Sequence, residues 1–256
     1  MIDIHCHILP GVDDGPRNLA ESLELARAAE AEGITTIIAT PHHKHPSFEN
    51  DGPSVLQKVD ELNQALKEAE IAINVLPSQE VRIHGDLLEN LNSKDVLPMT
   101  KDHKYILVEL PTNSIPHYTS RLLYDIQMTG CTPIIAHPER NKVFSEDPNK
   151  LFELVNTGVL TQITATSLAG HLGKKIKTLS EQLIEANLAH FIASDAHNIT
   201  SRPFHMREAY RVLEEQFGLQ MVYMFQENAE LVVSGQHINL MPPERVKKRK
   251  KFFNLF

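Results

Sequence analysis

Ala189-His190-Phe191-Ile192-Ala193-Ser194-Asp195-Ala196-His197 is a strand-length apolar run that ends in two side chains able to ligate a metal. The same form recurs upstream. Thr132-Pro133-Ile134-Ile135-Ala136 is followed by His137, Tyr105-Ile106-Leu107-Val108 by Glu109, and Ile2-Asp3-Ile4 by His5-Cys6-His7. Thr35–Ala39 is β-branched and continuous, with His42 just beyond it, and Ala72–Pro77 runs out at Glu80. Leu160–Thr164 is a seventh run with no such residue at its end. Six of seven expected strands therefore finish in a His, Asp or Glu.

Helical periodicity fills the intervals. Asn18–Glu32, Ser54–Glu70, His117–Thr129, Asn149–Thr157, Lys174–Ala186 and Phe204–Phe217 carry apolar residues at three- and four-residue spacing. Strand alternating with helix predicts parallel strands joined by right-handed crossovers. An open doubly wound sheet and a closed barrel both meet that description. The strand ends discriminate: a barrel gathers all carboxyl ends at one mouth, whereas an open sheet spreads them along a crevice. The expected fold is therefore an α/β barrel, in a seven-stranded variant.

The side chains at these ends define a chemistry. Residues i and i+2 of a strand share a face, so His5 and His7 can reach one ion, and Asp195 and His197 repeat the arrangement. Cys6 alternates to the opposite face and reads as core. Glu80 and Glu109 each offer two oxygens, and Asp13-Asp14 lies close enough to add a carboxylate. Imidazoles and carboxylates without thiolate suit manganese, iron, zinc or magnesium. There are too many ligands for one ion, so two or three are expected, with a bridging hydroxide as nucleophile. Taken singly, each residue has an ordinary explanation, since exposed acids are the rule and His-x-His arises by chance.

Composition narrows the setting. The 256 residues carry a net charge of −8, fourteen histidines and two cysteines. A disulfide framework is excluded, and a reducing, cytoplasmic compartment is expected. No apolar run approaches a membrane span, and the opening residues have no basic signal-peptide region. An acidic body disfavours nucleic acid as partner. Glu244–Phe256 departs from that body with a local charge of +5 and the apolar residues Phe252, Phe253, Leu255 and Phe256. The expected organisation is one domain over 1–240 and a basic, aromatic tail over 241–256. Such a tail suits an anionic membrane surface or a docking partner; a frayed terminus is the plain alternative.

Taken together, His5-Cys6-His7, Thr40-Pro41-His42-His43, Glu80, Glu109, His137-Pro138-Glu139-Arg140 and Ser194-Asp195-Ala196-His197 resemble the PHP (polymerase and histidinol phosphatase) superfamily over essentially the whole chain. The opening, Met1 to Gly15, is similar to the tyrosine-protein phosphatases of capsular and exopolysaccharide systems of Firmicutes, the YwqE-like group. That resemblance implies a distorted (β/α)7 barrel with three metal ions, manganese foremost. The implied ligands are His5, His7, Asp14, His42, Glu80, Glu109, His137, Asp195 and His197. It places a phosphate-binding arginine at Arg140 and a second at Arg202, with Arg207 as a nearby alternative.

The implied reaction is hydrolysis of phosphotyrosine on proteins by a metal-bridging hydroxide, with Arg140 neutralising charge on the equatorial oxygens. His43 or Asp195 is expected to protonate the leaving group. The implied substrate is a phosphorylated, membrane-associated bacterial tyrosine kinase, which would bring the enzyme to the inner face of the membrane. A cysteine-based phosphatase is excluded by spacing: six residues after Cys6 stands Val12, and six after Cys131 stands His137, where an arginine is required. Two rivals remain at this point. One is a phosphatase for a small ester such as histidinol phosphate. The other is a non-catalytic phosphotyrosine-binding module, whose signature would be a lost ligand.

Overall fold

The computed structural model describes residues 1–100, 102 and 104–247. Nine strands run through them: β1 Ile2–Cys6, β2 Thr36–Ala39, β3 His42–His43, β4 Asn74–Pro77, β5 Glu80–Arg82, β6 Tyr105–Glu109, β7 Thr132–Ala136, β8 Leu160–Thr164 and β9 Phe191–Ala193. Every ladder is parallel. The strands form two sheets, β1-β2-β4 and β3-β5-β6-β7-β8-β9. The α/β class with parallel strands is as expected. The count differs, because the two expected strands ending at Ala39 and Pro77 are each followed, after a break, by a short further strand.

Each break has a physical cause. Past Thr40, whose N–H donates to Cys6 O at 3.0 Å, the chain meets Pro41, which has no N–H to continue the ladder. The second break falls at Ser78-Gln79. The buried Gln79 side chain accepts from Leu97 N at 2.6 Å and donates to Asp95 O at 3.1 Å, fastening this corner to a distant loop. Beyond the breaks, β3 and β5 pair with each other, His42 against Glu80, and extend the larger sheet. Both short strands begin on an expected ligand.

The strands alternate between two apolar layers. Ile38, Tyr105, Leu107, Ile134, Ala136, Leu160, Phe191 and Ala193 pack in one. Ile37, Ile106, Val108, Ile135, Ile163 and Ile192 pack in the other, together with helical residues such as Leu25, Leu62, Ile126, Leu183 and Leu213. Continuing the first face by two residues leads from Leu107 to Glu109 and from Ala193 to Asp195. In β1 the register shifts between Asp3 and Cys6. Ile4 accordingly joins the first layer and Cys6 the second.

The first and last strands meet at their carboxyl ends. His7 N–H donates to Ala196 O and Asp195 N–H to His5 O, both at 2.9 Å. Asp3 strengthens this seam by accepting from Ser194 N at 2.9 Å and from Ser194 Oγ at 2.5 Å. Burial pushes the Asp3 carboxyl up to about 6, against the lowering effect of those bonds.

The helices lie close to expectation: Leu19–Ala31, Gly52–Glu68, Thr119–Gln127, Asn149–Val155, Lys174–Glu185 and Met206–Phe217. Asn18 caps the first through Glu21 N, and Asp51 caps the second through Ser54 N. Leu219–Val233 is an additional helix. Among the described residues, no helix is long and apolar enough to cross a membrane.

The tail expected from residue 241 does not separate there. Asn187 Nδ2 donates to Pro242 O and Glu244 N to Ala186 O, each at 2.8 Å. The Arg245 guanidinium lies 4.6 Å from the Phe152 ring centre, and it pairs with Glu153 at 2.7 Å. These contacts dock residues up to Val246 on the body. The remainder of the expected basic, aromatic tail, 248–256, lies outside the described residues.

One buried histidine makes stability depend on pH. His190 accepts from Thr161 N at 3.1 Å through Nδ1, and burial lowers its pKa from 6.5 to about 4. It folds neutral, so the stability it contributes is complete above pH 6.5 and is lost as pH falls towards 4. Between pH 7.5 and 5 the expected loss is about 2 kcal/mol. His190→Asn keeps an acceptor and removes the titration. Urea unfolding of both proteins across that range checks this, and identical pH slopes would reject it.

Candidate metal centre

Glu80, fully buried, stands at the centre of the cluster. Its Oε1 lies 2.7 Å from His137 Nε2, and its Oε2 lies 2.9 Å from His42 Nδ1, 3.4 Å from His7 Nε2 and 3.6 Å from His5 Nε2. Asp195 Oδ1 is 3.4 Å from both His5 Nε2 and His7 Nε2, and 3.6 Å from His197 Nδ1. Asp14 Oδ1 reaches His197 Nε2 at 3.1 Å and His42 Nε2 at 3.5 Å. Glu109 Oε2 is 3.9 Å from His42 Nδ1. All nine residues expected as ligands thus converge, although they span the chain from His5 to His197.

Two of the nine are held in left-handed backbone, His137 at φ 32° and Asp195 at φ 53°. Neither is glycine, so each conformation costs on the order of 1 kcal/mol. Each falls just beyond the end of a strand.

Hydrogen bonding alone does not satisfy this cluster. His42 Nδ1, His197 Nε2, Glu80 Oε2 and Glu109 Oε2 are buried and have no hydrogen-bond partner. His42 Nδ1 and Glu80 Oε2 are close, but their geometry does not make a bond. His5 Nε2 and His7 Nε2 face each other at 3.3 Å. Lone pairs aimed at common points without protons to share are the arrangement a cation resolves. Three overlapping sets place their ligand atoms within 4.8 Å of one another: His7, Asp14, His42 and His197; His5, His7 and Glu80; and His42, Glu80 and Glu109. Nitrogen and carboxylate donors of this kind fit hard or borderline ions.

A surrounding layer fixes the imidazoles. His7 Nδ1 bonds Asp13 Oδ2 at 2.7 Å, His5 Nδ1 bonds Gln162 Oε1 at 2.9 Å, and His197 Nδ1 bonds Asp195 O at 2.9 Å. With those Nδ1 atoms as donors, each Nε2 turns its lone pair to the centre. Asp13 also accepts from His42 N at 3.1 Å, so it orients two of the ligands.

The charges are strongly coupled. Burial opposes ionisation of Glu80 and Asp195, yet the neighbouring His5 holds both well below the usual carboxylate range. Glu109 moves the other way, raised by burial and by Glu80. Burial disfavours a charged His7, but Asp13 outweighs it and its pKa rises well above the ordinary value. His197 falls to about 4 through burial and the neighbouring His7.

Two arginines border the cluster. Arg140 Nη1 bonds Asp195 Oδ2, and Arg202 Nη2 reaches the same oxygen at 3.1 Å. Arg202 Nη1 adds Asp14 Oδ2 at 3.0 Å. Asn198 shapes the Arg202 loop, its Oδ1 accepting from Thr200 N, Ser201 N and Arg202 N. Arg207 instead donates to Ala31 O, so it is not the second arginine of the site. Arg82 is an addition. It lies 3.1 Å from Glu109 Oε2, and its buried Nε has no partner.

The expected proton donors are corrected. His43 neighbours His42 on β3 and therefore faces away. Its Nδ1 accepts from Asn50 N at 3.2 Å, and its Nε2 faces Asp95 at 3.4 Å. Asp195 is an ionised carboxylate shared by two arginines and is a poor acid. Cys6 and Cys131 are buried, and burial raises both thiols, Cys131 to about 12. Neither can serve as a nucleophile.

The chain is 50% identical over 252 residues to the tyrosine-protein phosphatase YwqE of Bacillus subtilis, covering 98% of this chain and 99% of that protein. It is 42% identical to the putative tyrosine-protein phosphatase CapC of Staphylococcus aureus, over the full length of both. A crystal structure from work on YwqE of Bacillus subtilis and CpsB of Streptococcus pneumoniae, described as unique metal-dependent tyrosine phosphatases, superposes with a TM-score of 0.94. It is 49% identical and matches 97% of this chain and 100% of its own. An organophosphorus hydrolase shares the fold at 15% identity, with a TM-score of 0.54 over 90% of this chain and 92% of its own. The family described as "Capsular polysaccharide synthesis, CpsB/CapC" matches residues 1–234, and the chain belongs to it.

Proposed function

We propose that this protein is a metal-dependent phosphatase that hydrolyses phosphotyrosine on proteins and acts in capsular or exopolysaccharide synthesis. The carrying observation is the convergence of Arg140 and Arg202 on Asp195, the carboxylate that also faces His5 and His7. Two guanidinium groups beside a cluster of ligating atoms suit a phosphoryl group, because the planar fork binds two of its oxygens at once. The nine converging residues act as metal ligands in this reading, with manganese as the first choice of ion. Bound ions would supply Lewis acidity and an activated water at neutral pH. The two arginines hold the phosphoryl oxygens, and Asp13, Gln162 and Asp195 O hold the imidazoles in orientation. A tyrosine leaving oxygen, with a pKa of ~10, needs only modest assistance.

The two sheets are read as one distorted (β/α)7 barrel, closed by the hydrogen bonds between β1 and the segment after β9. The substrate proposed first is the phosphorylated tail of a membrane-associated tyrosine kinase. A small-ester phosphatase is the second reading. A binding module without catalysis is disfavoured because all nine ligand positions keep a ligating residue.

A substrate panel tests the proposal. With manganese present, a phosphotyrosine peptide is expected to turn over with kcat/KM at least ~100-fold above histidinol phosphate or a phosphoserine peptide, a difference of about 3 kcal/mol. Preference for histidinol phosphate would favour the second reading, and binding of phosphotyrosine without turnover would favour the module.

A further inference from the structure

We propose that His171, His205 and Glu208 form a second metal site of zinc type on the surface, separate from the phosphatase centre. The three residues come from two segments that meet in space. His171 follows the helix Ala165–Ala169, while His205 and Glu208 open the helix Met206–Phe217. Their ligating atoms lie within 4.8 Å of one another. Glu208 Oε2 is 2.8 Å from His171 Nε2 and 3.5 Å from His205 Nδ1. Zinc bonds of about 2.0–2.2 Å at tetrahedral angles separate ligand atoms by roughly 3.4 Å, so little adjustment is needed. The imidazoles are stacked, with centres 4.0 Å apart and planes 20° from parallel, and both can fan towards a shared ion.

Three features favour an ion over a plain salt bridge. Two imidazoles and one carboxylate are a recurrent zinc donor set, and the exposure of His171 leaves room for water as fourth ligand. His205 has left-handed backbone at φ 51°, in a helix N-cap position where its side chain makes no capping bond. A short polar residue would serve that position better, so the histidine asks for another role. Glu32 lies nearby, accepting Arg207 N–H at 2.7 Å, and brings further negative charge to the start of the helix.

The location gives the site a consequence. His205 closes the segment that begins at Ser194 and carries Asp195, His197 and Arg202. An ion joining His171 to His205 would fasten the base of that segment to the neighbouring helix. Zinc is thereby expected to stabilise the Arg202 loop without entering the reaction.

The experiment uses the full-length protein loaded with manganese and freed of unbound ions. It is equilibrated with zinc, desalted, and assayed for both metals by mass spectrometry. Wild type is expected to retain one more zinc per chain than His171→Gln or His205→Asn, with equal manganese in all three. Both variants are expected to keep wild-type phosphatase activity when zinc is absent. Zinc is expected to raise the melting temperature of wild type only. Equal zinc retention in wild type and both variants overturns the proposal, as does zinc uptake matched by loss of manganese. Circular dichroism confirms that the variants are folded, and Asn at 205 tolerates the left-handed backbone.

Discussion

Stripping divalent ions from the protein is expected to lower p-nitrophenyl phosphate hydrolysis by about 10⁴-fold, while alkylating its thiols changes the rate by less than about twofold. The first magnitude follows from the several kcal/mol of transition-state stabilisation that bound ions supply, at about 1.4 kcal/mol per factor of ten. Nothing among the described side chains replaces them. The buried lone pairs of His42, His197, Glu80 and Glu109 point inward, and no serine or cysteine nucleophile stands in the cluster. The second expectation follows from burial of Cys6 and Cys131, which keeps both thiols protonated. Chelation, exhaustive dialysis and reconstitution with manganese, each followed by a rate measurement, check the pair. Full activity with metal content below a few per cent of the protein would reject the metal-dependent reading, and loss on alkylation would reopen a thiol mechanism.

Arg140→Ala is expected to reduce kcat/KM by ~10²–10³-fold with metal content unchanged. The guanidinium is about one-third exposed beside Asp195. Its removal leaves Asp195 still paired with Arg202 at 3.1 Å, so the carboxylate is expected to stay in place and charged. The lost stabilisation is therefore that of the phosphoryl group. Arg140→Lys separates charge from shape: an ammonium restores a positive charge without the two-oxygen fork, and only partial recovery is expected. The check is kinetics together with metal analysis on the same samples. Loss of metal in step with activity would make Arg140 a structural support of Asp195.

Much of the site could be read in advance, because ligands at strand ends inherit their direction from strand alternation. Leu107 to Glu109 and Ala193 to Asp195 are direct cases, and Cys6 was assigned to the opposite layer on the same rule. That rule was available for His43 and would have turned it away from its neighbour His42. It would also have marked Arg82, two residues after Glu80, and Gln162, two residues after Leu160 on the one strand without a terminal ligand. The broken strands were less accessible. Pro41 is a visible interruption, but the corner at Gln79 depends on Asp95 and Leu97, sixteen and eighteen residues away. The helix Leu219–Val233 follows Met206–Phe217 with only Gly218 between them, at φ 84°. Gly218 marks the end of the first helix, as expected, and the second begins on the very next residue with no loop to announce it. The docked stretch up to Val246 was read as tail because its contacts with Ala186, Asn187, Phe152 and Asn149 are all long-range.

The seam between the first strand and the segment after the last has a bearing on how the protein is made. His5 and His7 are synthesised nearly two hundred residues ahead of their spatial neighbours Asp195 and His197. Until then β1 lacks the Ala196 and Ser194 contacts that anchor its end, and two of the nine converging residues do not yet exist. A growing chain therefore carries most of these imidazoles and carboxylates before the set that includes His197 can form. The cluster is complete only once the segment from Ser194 has been made, and a chain that stops short of it lacks both the seam that anchors β1 and two of the nine converging side chains.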